Sequence, residues 1–231
     1  MTTPRTWTHH ANTVAHCRRC PRLTAWREET ARTKVRRFQE EDYWGRPVPG
    51  FGDPDARLLI VGLAPAAHGG NRTGRMFTGD KSGEWLYRAL FEFGFANQPD
   101  SSHRGDGLEL TDCYITAACR CAPPLNKPLP EELAACRPFL AWEFQHLKNL
   151  RIVLGLGRVG FLAALREISA QGNDILPPRP SFAHGESRDF PGGLTLVGSY
   201  HPSQQNTFTG KLTRPMFHSV FAAIRQKLGP E

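Results

Sequence analysis

The sequence predicts an α/β fold: one mainly parallel sheet with helices on both faces. Three observations carry this. Four short runs of branched apolar residues recur along the 231-residue chain, and helix-like stretches separate them. The Gly-, Pro- and polar-rich segments begin where those runs end, the edge at which open parallel sheets bind ligands. The length suits one sizeable α/β core and not two. Residues 1–231 are therefore read as a single domain, with a cysteine-bearing helical segment over 1–50 packed on the core.

Residues 21–43 are charged and mostly helix-forming, and then Pro47, Pro49, Gly50, Gly52 and Pro54 break the chain into an extended loop. Residues 57–63 (RLLIVGL) read as a buried strand. A long Gly-rich loop follows, and Ser82 is expected to cap a helix through Trp85, Leu86 and Leu90. Residues 114–118 read as the second strand, 123–130 as a Pro-rich loop and 130–148 as a helix. Pro130 lies in that helix's first turn, and Glu131 and Glu132 face the positive end of its dipole. Residues 151–156 (RIVLGL) form the third strand, with a helix from about Val159. Residues 170–193 are dense in Pro and Gly and read as loop. Residues 194–199 (LTLVGS) form the fourth strand, and a helix over about 213–227 closes the chain.

Twenty-nine Lys and Arg against twenty-two Asp and Glu give a net charge of +7, which suits a polyanionic partner such as nucleic acid. No apolar run reaches the ~18 residues that would span a bilayer, and residues 1–10 lack the apolar stretch of a signal peptide. A cytoplasmic, nucleoid-associated protein with no membrane partner is expected. Such a chain does not keep disulfides, so its six cysteines call for another account. Cys17 and Cys20 form C-x2-C, Cys113, Cys119 and Cys121 cluster in mid-chain, and Cys136 follows. Four soft ligands in two pairs read as a structural metal or an iron–sulfur cluster.

Three motifs stand at strand ends. The first is GLAPAAHGGNRTGRMFTGD over 62–80. Its small residues let backbone amides approach a ligand, Phe77 offers a face for a flat ring, and Asp80 adds a carboxylate; a plain surface loop is the competing reading. The second, SYHPSQQNT over 199–207, carries His201 on a turn stiffened by Pro202. Ser203, Gln204, Asn206 and Thr207, then Lys211 and Arg214, are the kinds of group that contact phosphates; an ordinary polar turn is the alternative. The third, RCAPPLNK over 120–127, holds Asn126, which has both donors and an acceptor for a base edge, although Asn is also a common turn residue. A fourth pattern, Gly155-Leu-Gly-Arg-Val-Gly160, matches G-x-G-x-x-G. A dinucleotide site would want an acid about 20 residues on at a strand end, and Asp174 sits in a Pro/Gly/Asn-rich stretch. Close helix–sheet packing accounts better for these glycines.

Together these motifs resemble the uracil-DNA glycosylase superfamily, specifically its family 5, the B-type glycosylases of bacteria and archaea. The likeness runs from Cys17 to about Arg214. It implies a four-stranded, mainly parallel sheet with helices on both faces, and a [4Fe–4S] cluster on Cys17, Cys20, Cys121 and Cys136, leaving Cys113 and Cys119 without a ligand role. A four-cysteine zinc site is the competing reading. By the same resemblance Phe77 stacks on the base, Asn126 reads its edge and His201 steadies the departing base. Gly62 and Ala64 line a small-residue pocket open to larger bases such as hypoxanthine. Ala64 stands where most relatives outside families 4 and 5 carry the Asp or Asn that holds the attacking water, so Asp80 is the carboxylate expected to orient it. Arg72, Ser203, Gln204, Asn206, Thr207, Lys211 and Arg214 are expected on the DNA.

The function this implies is that of a monomeric repair glycosylase. It would flip uracil, and other deaminated bases, out of DNA and hydrolyse the N-glycosidic bond to leave an abasic site. A non-enzymatic iron–sulfur or zinc DNA-binding module explains charge and cysteines but gives Asp80, Asn126 and His201 no shared purpose. A nicotinamide-dependent enzyme built on 155–160 would be indifferent to DNA.

Overall fold

The computed structural model describes residues 6–172 and 180–229; Asp174 and residues 1–5 lie outside them. Six strands form one sheet: β1 (Phe51–Gly52), β2 (Leu58–Gly62), β3 (Cys113–Ala117), β4 (Ile152–Leu156), β5 (Ser187–Asp189) and β6 (Thr195–Ser199), in the order β1-β3-β2-β4-β6-β5. The central β3-β2-β4-β6 are parallel, whereas β1 and β5 pair antiparallel at the two edges. The four-stranded expectation is corrected accordingly. The added strands are two and three residues long, and β5 is exposed throughout, so neither carries an apolar run. In each parallel strand all five residues are buried, as two covered faces require.

Alternate side chains of β2 point to opposite faces. Leu58 and Ile60 join the core under α4 (Lys81–Glu92) and α8 (Arg214–Leu228), with Leu86, Leu90, Phe217 and Phe221. Leu59 and Val61 join the core under α5 (Pro130–His146) and α6 (Gly157–Ala170), with Leu140, Phe144, Phe161 and Leu165. The G-x-G-x-x-G run is a packing device. A Cβ on Gly155 would lie 2.4 Å from Phe161 Cα, and one on Gly160 would lie 2.1 Å from Val61 O, so glycine is what lets α6 sit on the strands.

The N-terminal helices differ from expectation. α1 (Trp7–Ala15), inside the segment expected to be helical but without bounds marked in the sequence, is capped by Thr6 and lays Trp7 against Tyr114 and Trp142 at 4.8 and 5.0 Å. α2 (Pro21–Thr33) stops at Lys34, whose φ is +51°, instead of running to residue 43. Two short helices complete the set, α3 (Gly70–Thr73) and α7 (Gln204–Phe208). The cap of α4 is Asp80, not Ser82: Asp80 Oδ1 accepts from the Gly83 amide at 2.9 Å. No helix among the described residues is long and apolar enough to cross a membrane.

From β2 the chain proceeds to β3 on one side, while β4 lies on the other. Loops leaving the C-terminal ends of β2 and β4 therefore diverge, and a crevice opens between them. The loop after β2 is anchored by Arg75, which is buried with Asp106 and holds both its carboxylate oxygens, at 2.8 and 2.7 Å. Burial alone would raise the Asp106 pKa, but its bonds from Arg75 and the Leu108 and Ser102 amides hold it well below the usual range. A lowered folded-state pKa stabilises the protein above the unfolded value near ~3.9, and that stability is lost as pH falls toward the folded value. Arg75→Met strands a buried carboxylate, so urea unfolding should show a loss of about 3–5 kcal/mol at neutral pH. The variant should also lose part of the parent's acid dependence. An unchanged urea midpoint would remove this pair as the anchor.

Candidate active site

The loop over 62–80 leaves β2 at Gly62 and folds back so that Phe77 covers the strand end. A Cβ on Gly62 would stand 2.9 Å from Phe77 Cζ, so the ring reaches the backbone only because residue 62 is glycine. Phe77 has φ of +53°, an uncommon and costly conformation for an aromatic residue. Its neighbours fix it: Tyr87 donates to Met76 O at 2.7 Å, and a Cβ on Gly83 would lie 1.7 Å from Phe77 O. Such strain accompanies sites where a side chain must be presented at one angle.

His201, just beyond β6, lies near-parallel to Phe77, with ring centroids 5.7 Å apart and planes at 28°. Rings at that separation are in contact, so a flat ligand enters beside the pair and not between its members. Asn206 Nδ2 donates to His201 O at 2.9 Å, and a Cβ on Gly157 would lie 3.4 Å from His201 Cβ. His184, which the sequence did not suggest, fixes the end of β6. Its Nδ1 accepts from the Tyr200 amide at 3.1 Å and its Nε2 faces Met216 O at 3.2 Å, which places the proton on Nε2. His201 keeps some open surface, but the protein packed round it strips its water and lowers its pKa to about 4. It is a neutral imidazole at pH 7.

Asp80 closes the loop. While Oδ1 caps α4, a Cβ on Gly69 would lie 2.2 Å from Oδ2, so Gly69 leaves that oxygen room. Burial raises the Asp80 pKa, partly offset by the Gly83 and Ser82 amides. Asn126 stands apart on the loop after β3. It is exposed, and both it and Leu125 have left-handed backbones, with φ of 56° and 53°. Leu125 is 83% exposed and Phe208, on α7, 81%. Ala64 is turned toward the cysteines and packs on their cluster.

The residues expected on DNA separate into two sets. Arg72 is corrected: it is 7% exposed and fully committed. Its Nε donates to His68 O, one Nη to Glu41 and the other to Gly79 O, and the guanidinium lies over Phe38. Ser203 Oγ caps α7 by accepting from the Asn206 amide, and Thr207 Oγ1 bonds Ser203 O. These groups and Asn206 build the turn under His201. Gln204, Lys211 and Arg214 remain exposed, with Lys211 over Tyr200 and Arg214 over Trp85.

Four cysteines from separate elements meet beside the loop. Cys17 follows α1, Cys20 precedes α2, Cys121 lies beyond β3 and Cys136 is on α5; all share one apolar cluster with Cys119, Val14, Leu23 and Phe139. Donors face the sulfurs: Arg27 Nη1 reaches Cys121 Sγ at 2.9 Å, Arg19 Nε reaches Cys17 Sγ at 3.4 Å and the Arg120 amide reaches Cys136 Sγ at 3.3 Å. Arg27 Nε, Arg120 Nε and Arg120 Nη1 are buried without a partner. Among the described residues no three His, Cys, Asp or Glu side chains converge as ligands of a single metal ion would. The larger of two described clefts, about 880 Å³, lies at the opposite end of the sheet by Arg57, Asp112, Thr195 and Lys227. Arg57 and Asp112 pair across it at 2.7 Å, and no aromatic residue lines it.

Residues 49–225 match the sequence profile of the Uracil DNA glycosylase superfamily. The chain is 50% identical over 217 residues to a Type-5 uracil-DNA glycosylase of Thermus thermophilus, covering 94% of this chain and 96% of that one. It is 48% identical over 219 residues to a Mycobacterium tuberculosis protein of the same description, covering 94% and 80%. A Type-4 uracil-DNA glycosylase of Thermotoga maritima is 29% identical over 161 residues, or 68% and 69% of the two chains.

The lowered pKa of His201 has a direct readout. Nitrogen NMR of the imidazole should report a neutral ring throughout about pH 5.5–8. A protonation midpoint near ~6.5 for His201 would contradict the desolvated environment.

Proposed function

The chain belongs to the uracil DNA glycosylase superfamily, and we propose that it flips uracil out of DNA and hydrolyses the N-glycosidic bond, leaving an abasic site. The observation that carries this reading is the Phe77–His201 pair, held at the switch in strand order by Gly62 and Gly157. It offers an aromatic contact and a neutral donor side by side, as an extruded base requires.

Cleavage breaks the bond from N1 to C1′ and leaves its electron pair on uracil, while positive charge builds on the sugar. Water then adds to C1′, and the proton it releases neutralises the uracil anion, directly or through solvent. A neutral His201 donates a hydrogen bond to a uracil oxygen as the ring becomes an anion, which lowers the barrier directly. The Asp80 carboxylate opposes the sugar's positive charge and orients the water, because Ala64 brings no polar group of its own. Asn126 offers both donors and an acceptor to the base edge. Exposed Lys211, Arg214 and Gln204 meet phosphates, and the apolar Phe208 and Leu125 are placed to fill the gap that a flipped base leaves. Hypoxanthine and other deaminated purines fit the same scheme, since Gly62 adds no side chain to the pocket wall beside Phe77.

Cys17, Cys20, Cys121 and Cys136 are the proposed ligands of a [4Fe–4S] cluster. The donor set fits: four thiols meet in an apolar cluster, with Arg27, Arg19 and the Arg120 amide aimed at sulfur and buried guanidinium N–H groups still unpartnered. Four thiols would also suit a zinc ion; the family likeness favours the cluster. Bound there, it would supply iron–sulfur bonds tying the N-terminal segment to the core.

Two predictions follow from this reading. Asn caps a helix as well as Asp does, so Asp80→Asn should unfold at the parent temperature or above it, since a buried charge is removed. Its single-turnover release of uracil from DNA should nevertheless fall by roughly 10²–10³-fold. Release at the parent rate would take the carboxylate out of the chemistry, and a parent chain inert on uracil-containing DNA would overturn the function itself. The purified protein should also be brown, with iron and acid-labile sulfide near four atoms each per chain; stoichiometric zinc without sulfide would refute the cluster.

A further inference from the structure

Arg27 on α2 joins the cysteine centre to the middle of the substrate loop through hydrogen bonds of its side chain and its backbone. Its side chain is buried, and its Nη1 meets Cys121 Sγ at 2.9 Å and its Nη2 meets Cys17 O at 3.3 Å. Its backbone carbonyl accepts from Nδ2 of Asn71, a wholly buried residue in the middle of the first motif, at 3.2 Å. From Asn71 the path continues along the loop. Arg72 follows in sequence and donates to Gly79 O at 3.0 Å, next to Asp80. The same stretch is clamped from outside, where the amides of Gly45 and Trp44 donate to Asn71 O and Arg72 O at 3.0 and 2.8 Å.

The energetics give this path a direction. A buried guanidinium is favourable only while it faces an anionic partner. Arg27 has thiol sulfur on one side, and its nearest carboxylate is the partly exposed Glu28 at 3.6 Å. When the sulfurs carry the charge of a metal-bound centre, Arg27 is held inward. When that charge is lost, Glu28 and solvent compete for the guanidinium. The helix backbone to which Asn71 is tied then loses its anchor, and the Asn71 side chain, whose Oδ1 has no partner, has no second hydrogen bond to replace it.

We propose that Arg27, acting through Asn71, couples occupancy of the cysteine centre to the position of the loop that carries Phe77 and Asp80. Arg27 and Asn71 are thus positioning residues, and the inference rests on the glycosylase and cluster readings above. Asn71→Leu cuts the link while leaving every cysteine contact in place. In the full-length, metal-loaded protein it should keep the parent's iron content but speed amide exchange of residues 66–80 by about tenfold or more. Its single-turnover uracil release should fall by a similar factor, with DNA affinity within about threefold of the parent because phosphate contacts dominate it. Arg27→Met and the chelated parent should loosen the same peptide, whereas Arg27→Lys should restore part of the protection. Parent-like exchange over 66–80 in Asn71→Leu, or in the chelated parent, would overturn the proposal. A parent that releases no uracil would defeat the glycosylase reading, and the exchange comparison would still decide the coupling.

Discussion

The reversal of strand order at β2 is the constraint on which the site depends. Parallel pairing to β3 on one side and β4 on the other sends the two following connections apart, the arrangement at which open parallel sheets form a ligand crevice. The opening is then narrowed by close approach. Gly160 seats α6 on Val61, Gly62 admits the Phe77 ring, and Gly157 brings the turn after β4 against His201. A Cβ on Gly160 or Gly62 would break its contact, so the position of Phe77 is set by backbone packing more than by side-chain attraction.

The long loop after β2 looks like a mobile binding loop by composition, yet its polar groups are largely consumed in holding itself. Arg75 is paired with Asp106, Arg72 is folded under Phe38 and Glu41, and Asp80 caps α4. A loop so tied can keep Phe77 in a left-handed backbone, which a loose one would relax. The cost is that its arginines are not offered to DNA. On the proposed function, the cations left to meet phosphates on this edge are Lys211 and Arg214, which are exposed and propped on Tyr200 and Trp85.

What the sequence disclosed and what it concealed follow the range of the signals. The four parallel strands were legible because burial on both faces demands continuous branched apolar residues. β1 and β5 were not, since an edge of two or three residues needs no such pattern. Phe77 and His201 could be picked out because a motif at a strand end has a predictable place; the four cysteines could be paired from spacing and family likeness. Arg72 misled because an arginine in a loop carries no mark of being buried. Arg27, Asn71 and His184 were invisible for a related reason: their partners are Cys121, the carbonyl of Arg27 and the Tyr200 amide, all distant in sequence and meeting only in the folded chain.

The central claim is that the extruded base is received by Phe77 and His201 at the C-terminal edge of β2. The most direct test is a crystal structure with duplex DNA carrying a cleavage-resistant uracil nucleotide. The account predicts the uracil ring against Phe77, with one of its oxygens within about 3 Å of a His201 ring nitrogen, and phosphates beside Lys211 and Arg214. A uracil bound at the opposite end of the sheet, near Arg57 and Thr195, or left stacked in the duplex, would contradict it.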